Sequence, residues 1–237
     1  DAGTLSNLGV ALDDMGRIAP QEAKAEYFQK SVRAYEQSLI IRPDDANTLT
    51  NLGVALNDMG RIAPQEAKVE YFQKAMLVFD QSLTVRPDDA DTLTNLGAAL
   101  NEMGRIAPQE AKAEYFQKSI RACEQSLAIC PDDANTLFNL GFALISMGYI
   151  VSQDEQAEWF RKALSITKKA RELNPNDFNL CYNHACALSL LGQSSEAIQE
   201  LRLLLTSDPS GKQVIEKEED FASLRGLPDY QQLMEEF

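Results

Sequence analysis

The sequence repeats every 44 residues, and this period limits the fold more than any other feature of the chain. The tripeptide Asn-Leu-Gly begins at Asn7, Asn51, Asn95 and Asn139, and residues 1–44 match residues 89–132 at 35 of 44 positions. A period of this length is typical of proteins in which each repeat stacks on the next. The sequence therefore predicts six segments: repeats at 1–44, 45–88 and 89–132, a divergent repeat at 133–176, a shorter repeat at 177–210, and a C-terminal capping segment at 211–237.

Each repeat has the pattern of two helices. In the second repeat, Asp45 can cap a helix whose apolar stripe is formed by Leu49, Leu52, Leu56 and Met59. Gly60 is expected to end this helix in the left-handed conformation, and Pro64 to open the next one. In the first repeat the second helix is expected over about residues 20–41, with apolar side chains around more than half of its circumference. Such a helix has to be covered on two sides, so the helix pairs are expected to stack.

The Leu8-Gly9 pair, Gly16 and the closing Pro43 resemble the tetratricopeptide repeat, a helix pair that spans about 34 residues. The fifth repeat, residues 177–210, fits that length best. The first four repeats have ten more residues between glycine and proline, which are expected to be helical and to extend the second helix into a raised ridge. The resemblance implies an all-α fold, a right-handed α-solenoid of stacked antiparallel helix pairs, with a role in binding other proteins.

Charge and cysteine usage limit the partners and the compartment of the chain. A formal net charge of −14 disfavours nucleic acid and anionic membrane surfaces as partners. No apolar run reaches the roughly 20 residues that a membrane-spanning helix needs. The four cysteines do not recur with the repeats and no signal sequence precedes them, which indicates free thiols and a cytoplasmic protein whose native N-terminus can lie upstream of Asp1.

No pattern of catalytic residues or phosphate-binding loops occurs in the sequence. Cys181, His184 and Cys186 have a spacing that suits zinc, but Cys181 and His184 fall on core positions of the fifth repeat. We therefore predict that these side chains are buried and that the protein is not an enzyme, with no cofactor and no metal site. Metal binding ranks third among the functional hypotheses.

Acidic side chains recur near the C-terminal ends of the first helices, where the helix dipole disfavours them. An arginine follows three residues later in each of the first three repeats, in the pairs Asp14 with Arg17, Asp58 with Arg61, and Glu102 with Arg105. The acids are either functional or neutralised by these arginines, and ion pairs at this spacing are routine in helices.

The predicted binding surface is the face of the first helices opposite the leucine stripe, which is the concave wall of tetratricopeptide arrays. Its candidate residues are Asn47, Thr50, Asn51, Val54, Asn57, Asp91, Thr94, Asn95, Asn101, Asn135, Phe138, Phe142, Ile145 and Tyr182. The wall changes from polar to apolar along the chain, and the last four residues are the predicted anchors. Either a partner or the chain's own C-terminal tail covers them, and the sequence leaves both open.

The expected function is a non-catalytic scaffold that holds a peptide or helix of a partner protein in this groove. The alternative is a structural segment of a longer repeat array, which assembles with itself and has no dedicated ligand. The first repeat keeps its apolar pattern on the side where a preceding repeat would pack, so self-association through this repeat is also expected.

Overall fold

The computed structural model describes all 237 residues, and the fold is an all-α solenoid of repeated helix pairs. The helices are α1 (Ala2–Ile18), α2 (Gln21–Ile41), α3 (Ala46–Ile62), α4 (Gln65–Val85), α5 (Ala90–Ile106), α6 (Gln109–Ile129), α7 (Ala134–Ile150), α8 (Gln153–Leu173), α9 (Phe178–Leu190), α10 (Ser194–Ser207), α11 (Lys212–Lys217) and α12 (Pro228–Glu236). Two short 3₁₀ turns, Pro209–Gly211 and Glu219–Phe221, flank α11. No helix is both long enough and apolar enough to cross a membrane.

The chain divides into two compact units, residues 1–129 and residues 130–237. In the first unit, α1 pairs with α2, α3 with α4 and α5 with α6, while α2 packs on α3 and α4 packs on α5. In the second unit, α7 pairs with α8 and α9 with α10, α8 packs on α9, and the C-terminal tail packs on α9 and α10. Each second helix is thus covered by its own partner and, within a unit, by the next repeat.

The predicted helix caps are confirmed at one end and wrong at the other. The Asp45 carboxylate accepts a hydrogen bond from Thr48 N at 3.0 Å, and Pro64 directly precedes α4. Gly60, however, lies inside α3, and the only positive φ in the chain is that of Gly192. A methyl group at Gly60 would lie 2.6 Å from Phe72 Cε1. The glycine is therefore needed for the close approach of α3 and α4, rather than for a turn.

The extra length of the long repeats is shared between both helices. The first helix of a long repeat has 17 residues against 13 in α9, and the second has 21 against 14 in α10. The prediction that the second helix alone takes up the surplus is therefore only partly right. Only two residues, Ala63 and Pro64, connect α3 to α4. The helix ends there because Ala63 is extended and proline cannot continue a helix.

The core of the first unit joins successive repeats. Its central cluster is formed by Tyr35, Leu52, Ala55, Leu56, Ala75, Phe79 and Ala99, which come from all three helix pairs. A cluster of hydroxyl groups lies at the same interface: Thr50 Oγ1 lies 2.9 Å from Ser82 Oγ of its own repeat and 2.6 Å from Thr92 Oγ1 of the next repeat. Apolar packing and satisfied hydroxyl groups together fix how one repeat sits on the next.

Candidate functional site

One solvent-accessible stripe recurs on the first helices of the first unit, and we call it the first-helix face. On α3 it consists of Asn47, Asn51, Val54, Asp58 and Arg61, and on α5 of Asp91, Asn95, Ala98, Glu102 and Arg105. The side chains follow at intervals of three and four residues, so each set lies along one side of its helix. The face therefore carries a matching set of side chains in each of these two repeats.

The amide groups of the first-helix face differ in how they are bound. The Asn47 Oδ1 atom accepts a hydrogen bond from Arg86 at 2.6 Å, and Asn95 Nδ2 donates to the Asp91 carbonyl at 2.9 Å. The half-buried Asn51 amide makes no hydrogen bond to the rest of the chain. It is available to pair with the backbone of a bound segment.

Several of the predicted groove residues lie outside this face. Asn57, Asn101 and Ile145 are buried, and Thr50 is held by the hydroxyl contacts that join repeats two and three. Thr94 likewise contacts Ser126 Oγ at 2.9 Å. Asn47, Asn51 and Val54 of the predicted α3 residues lie on the face, whereas Thr50 and Asn57 do not, since neighbouring positions on a helix differ by about 100°. The charged residues one place further along lie on the face instead.

The charged residues of the first-helix face form a continuous ladder across repeats. Arg61 Nη1 lies 3.1 Å from Asp58 Oδ1 in its own helix, and its Nε lies 3.3 Å from Glu102 Oε1 in the next repeat. Arg105 pairs with Glu102 at 3.0 Å. Asp58 and Glu102 are thus neutralised by arginine, as one of the two interpretations predicted, whereas Arg17 pairs with Asp13 and Asp58 and not with the predicted Asp14. The sequence did not reveal that Arg17 and Arg61 also reach the neighbouring repeat.

Asp13 is the buried end of this ladder. Its Oδ2 atom accepts a hydrogen bond from Arg17 Nη2 at 2.8 Å, whereas its Oδ1 atom has no hydrogen-bond partner. Burial raises the pKa of the Asp13 carboxyl from 3.8 to about 6, against the opposing effect of the Arg17 charge. The equivalent residue of the second repeat is Asn57, which is buried without carrying a charge.

In the second unit, the predicted anchors are divided between surface and tail. Asn135 is exposed, and Phe138 and Phe142 are half-buried on α7. Tyr182 donates a hydrogen bond to Glu218 at 2.7 Å, and its ring meets Phe221 edge-on at 5.7 Å between centroids. The C-terminal tail of the chain thus binds the Tyr182 side chain through both its hydroxyl group and its ring.

Further contacts fix the tail on the second unit. Tyr149 donates a hydrogen bond to the Asp220 carboxylate, and Ser189 donates to the Asp220 carbonyl at 2.6 Å. Burial raises the pKa of Asp220, while the hydrogen bonds from Tyr149 and Cys186 act against that rise. Ile215, Phe221 and Leu224 of the tail are fully buried.

The cysteine and histidine side chains of the fifth repeat lie in the core, as predicted. Cys181 Sγ donates to the Pro175 carbonyl at 3.3 Å, and His184 Nδ1 lies 3.3 Å from Thr167 Oγ1. Burial raises the pKa of the Cys186 thiol and lowers the pKa of His184. The three groups each have a different partner, which accounts for their burial.

The chain is similar to known proteins in sequence and in fold. Residues 178–210 match the family model of the tetratricopeptide repeat (TPR), in agreement with the helix pairs of both units. The chain has a TPR fold. Residues 81–190 also match a family described as plant specific mitochondrial import receptor subunit TOM20. No curated protein matches the chain.

Solved TPR structures resemble the chain over most of its length. TTC0263, a thermophilic TPR protein of Thermus thermophilus, is 16% identical, with 99% of each chain covered and a TM-score of 0.62. MamA 41-end of Desulfovibrio magneticus RS-1 is 18% identical over 87% of this chain and 98% of its own, with a TM-score of 0.57. YrrB, described as a TPR protein with an unusual peptide-binding site, is 17% identical over 85% of this chain and 89% of its own, with a TM-score of 0.59. At these identities the likeness concerns the fold alone.

Proposed function

We propose that the protein is a non-catalytic scaffold that binds a peptide or helix of a partner protein along the first-helix face. The observation that carries the proposal is the recurrence of matching solvent-accessible side chains, in the same register, on α3 and α5. The Asn51 amide, which makes no hydrogen bond within the chain, can pair with a peptide group of a bound segment, and Val54 and Ala98 offer apolar contacts beside it. TPR folds generally serve as protein-interaction scaffolds.

The similarity of residues 81–190 to a mitochondrial import receptor subunit supports the same proposal, because a receptor acts by binding another molecule. The net charge of −14 favours partners that carry basic residues. The Arg–carboxylate ladder neutralises part of this charge on the face itself. We therefore expect specificity to depend on amide and apolar contacts, while charge mainly speeds the encounter.

Photo-crosslinking from two positions tests this function. A photoreactive amino acid replaces either Val54 on the first-helix face or the exposed Gln81 on α4, and each protein is irradiated in lysate of the source organism. We expect Val54 to give a discrete crosslinked partner, whose yield falls when Asn51 and Asn95 are both changed to Ala. Equal products from both positions, or none from Val54, would rule out the first-helix face as the binding surface.

A second candidate function, self-association through the first repeat, is favoured by one observation. Leu8 is 49% exposed, whereas the equivalent Leu52 is 5% exposed because α2 packs over it. Met15, seven residues further along the same side of α1, is also exposed, as are Ile18 of α1 and Ile40 of α2. An apolar patch of this kind can be covered by the same patch of a second copy, in a two-fold contact.

A further inference from the structure

A groove runs between α4 and α6 in the first unit, and none of its residues belongs to the first-helix face. Both helices pack on α5 rather than on one another, which leaves a groove of about 630 Å³ between them. Leu96 and Leu100 of α5 form its floor. Met76 and Leu77 line it on the α4 side. We call this feature the α4–α6 groove.

The second repeat departs from its neighbours at this groove. Leu77 of α4 stands where α2 has Arg33 and α6 has Arg121, within residues 75–80, where the second repeat differs from both sister repeats at every position. Leu77 is 60% exposed, although a leucine gains free energy when its surface is removed from water. The packing of the repeats themselves does not require an apolar residue here, since arginine occupies the equivalent position twice. The leucine therefore favours an apolar occupant of the groove.

The two walls of the groove carry opposite charges. Asp80, on α4, makes no ion pair; burial raises the pKa of its carboxyl, and the charge of Lys118 across the groove acts against that rise. Lys118 itself is paired with Glu114 at 2.6 Å. Arg121, on α6, makes no ion pair. An occupant thus meets a carboxylate with no bonded partner on one side and an unpaired guanidinium on the other.

We propose that the α4–α6 groove binds an amphipathic helix of a partner protein. Its apolar stripe lies on Leu77, Leu96 and Leu100, a basic side chain faces Asp80, and an acidic side chain faces Arg121. A helix suits the site because it satisfies its own backbone hydrogen bonds and brings only side chains to an apolar floor. The walls are helices of 21 residues, about 31 Å long, which is enough for several turns of a bound helix. This surface is separate from the proposed function and adds a second docking site.

Two synthetic helical peptides of about 18 residues test the proposal. Both carry the same leucine stripe; one has lysine on the edge facing α4 and glutamate on the edge facing α6, and the other has these edges exchanged. Binding to the full chain is followed by fluorescence anisotropy of the labelled peptides. We expect the first peptide to bind saturably and the exchanged peptide to bind at least about tenfold more weakly. Equal affinities, or no binding by the first peptide, would overturn the proposal.

Variants of the groove locate the contact. Leu77→Arg introduces the residue found at this position in both sister repeats, so the thermal midpoint of the protein should stay the same. The affinity for the first peptide should fall by at least about tenfold. The double variant Asp80→Lys, Arg121→Glu should reverse the preference between the two peptides. Gln117→Arg, on an exposed part of α6 outside the groove, is the matched control and should change neither affinity. If Leu77→Arg binds like the wild type, or the double variant does not reverse the preference, the peptides bind elsewhere and the assignment fails.

Discussion

Arg17 of α1 donates a hydrogen bond to Asp58 of α3, with 3.3 Å between Nε and Oδ2, and so links the first repeat to the second. The same contact recurs one repeat later between Arg61 and Glu102, also at 3.3 Å. Each pair is partly exposed and contributes no more than about 1 kcal/mol. The ladder therefore serves mainly to fix the register between repeats, and the stability of the stack comes from its apolar core.

Asp13→Asn should stabilise the protein at neutral pH. The folded-state pKa of Asp13 is raised to about 6, so the folded chain binds a proton more tightly than the unfolded chain does. The contribution of Asp13 to stability is full below pH 3.8 and is lost as the pH rises through 6. We expect Asp13→Asn to gain about 1–2 kcal/mol in the free energy of unfolding at pH 7, after allowance for solvent screening.

Denaturant unfolding at several pH values checks this prediction. The difference between Asp13→Asn and the wild type should be small at pH 4 and should grow up to pH 7. The exposed neighbour supplies the control: Asp14→Asn should change stability by less than about 0.5 kcal/mol. A destabilised Asp13→Asn protein at pH 7 would show that the Arg17 ion pair outweighs the cost of burying the charge.

Gly60→Ala should destabilise the second repeat although alanine is the better helix former. The new methyl group would lie 2.6 Å from Phe72 Cε1, which forces the ring or the helices to move. We expect a loss of about 1–3 kcal/mol in the free energy of unfolding. Gly3→Ala is the matched control, because a methyl group there meets only Asp1 Oδ1 at 3.5 Å, and it should gain about 0.5–1 kcal/mol. Thermal melts that rank the two variants the other way would contradict the packing role of Gly60.

The sequence predicted the fold well because the repeat period and the helical spacing of the leucines are local signals. The second helix of the first repeat, expected over about 20–41, is observed over Gln21–Ile41. Gly60 was misjudged because glycine serves helix caps and close helix contacts alike, and only the position of the Phe72 ring separates the two. Asn57 was placed on the α3 face although it is buried, because the sequence does not show whether Asn57 or Asp58 lies beneath the next repeat.

Phe221→Ala should loosen the C-terminal tail of the second unit. The Phe221 ring is fully buried against Tyr182, so its removal should cost about 3–5 kcal/mol in the free energy of unfolding. Val214, which is exposed on α11, offers a control, and Val214→Ala should be nearly neutral. Limited proteolysis should cut the tail of the Phe221→Ala protein first. A tail that stays resistant would mean that it is held by other contacts.

The 237-residue protein should associate as its concentration rises, through the exposed apolar patch around Leu8. Leu8→Lys should keep the protein monomeric, because a charge at the centre of a two-fold contact is repelled by its own copy. Leu203, which is equally exposed on α10, supplies the control, and Leu203→Lys should leave the association unchanged. Light scattering over a wide dilution series measures both. A wild-type protein that stays monomeric at every concentration would remove self-association from the candidate functions.

The affinity of the crosslinked partner segment for Val54→Arg is the most direct test of the scaffold function. Val54 is half-buried at the centre of the first-helix face and packs against the core cluster with its inner side. An arginine there can keep its aliphatic stem on the cluster and place its guanidinium where a bound segment would lie. We predict that calorimetric titration gives an affinity at least about tenfold weaker than that of the wild type, with only a small fall in the thermal midpoint. An unchanged affinity would contradict the account, since the partner would then bind outside the surface on which the proposed function rests.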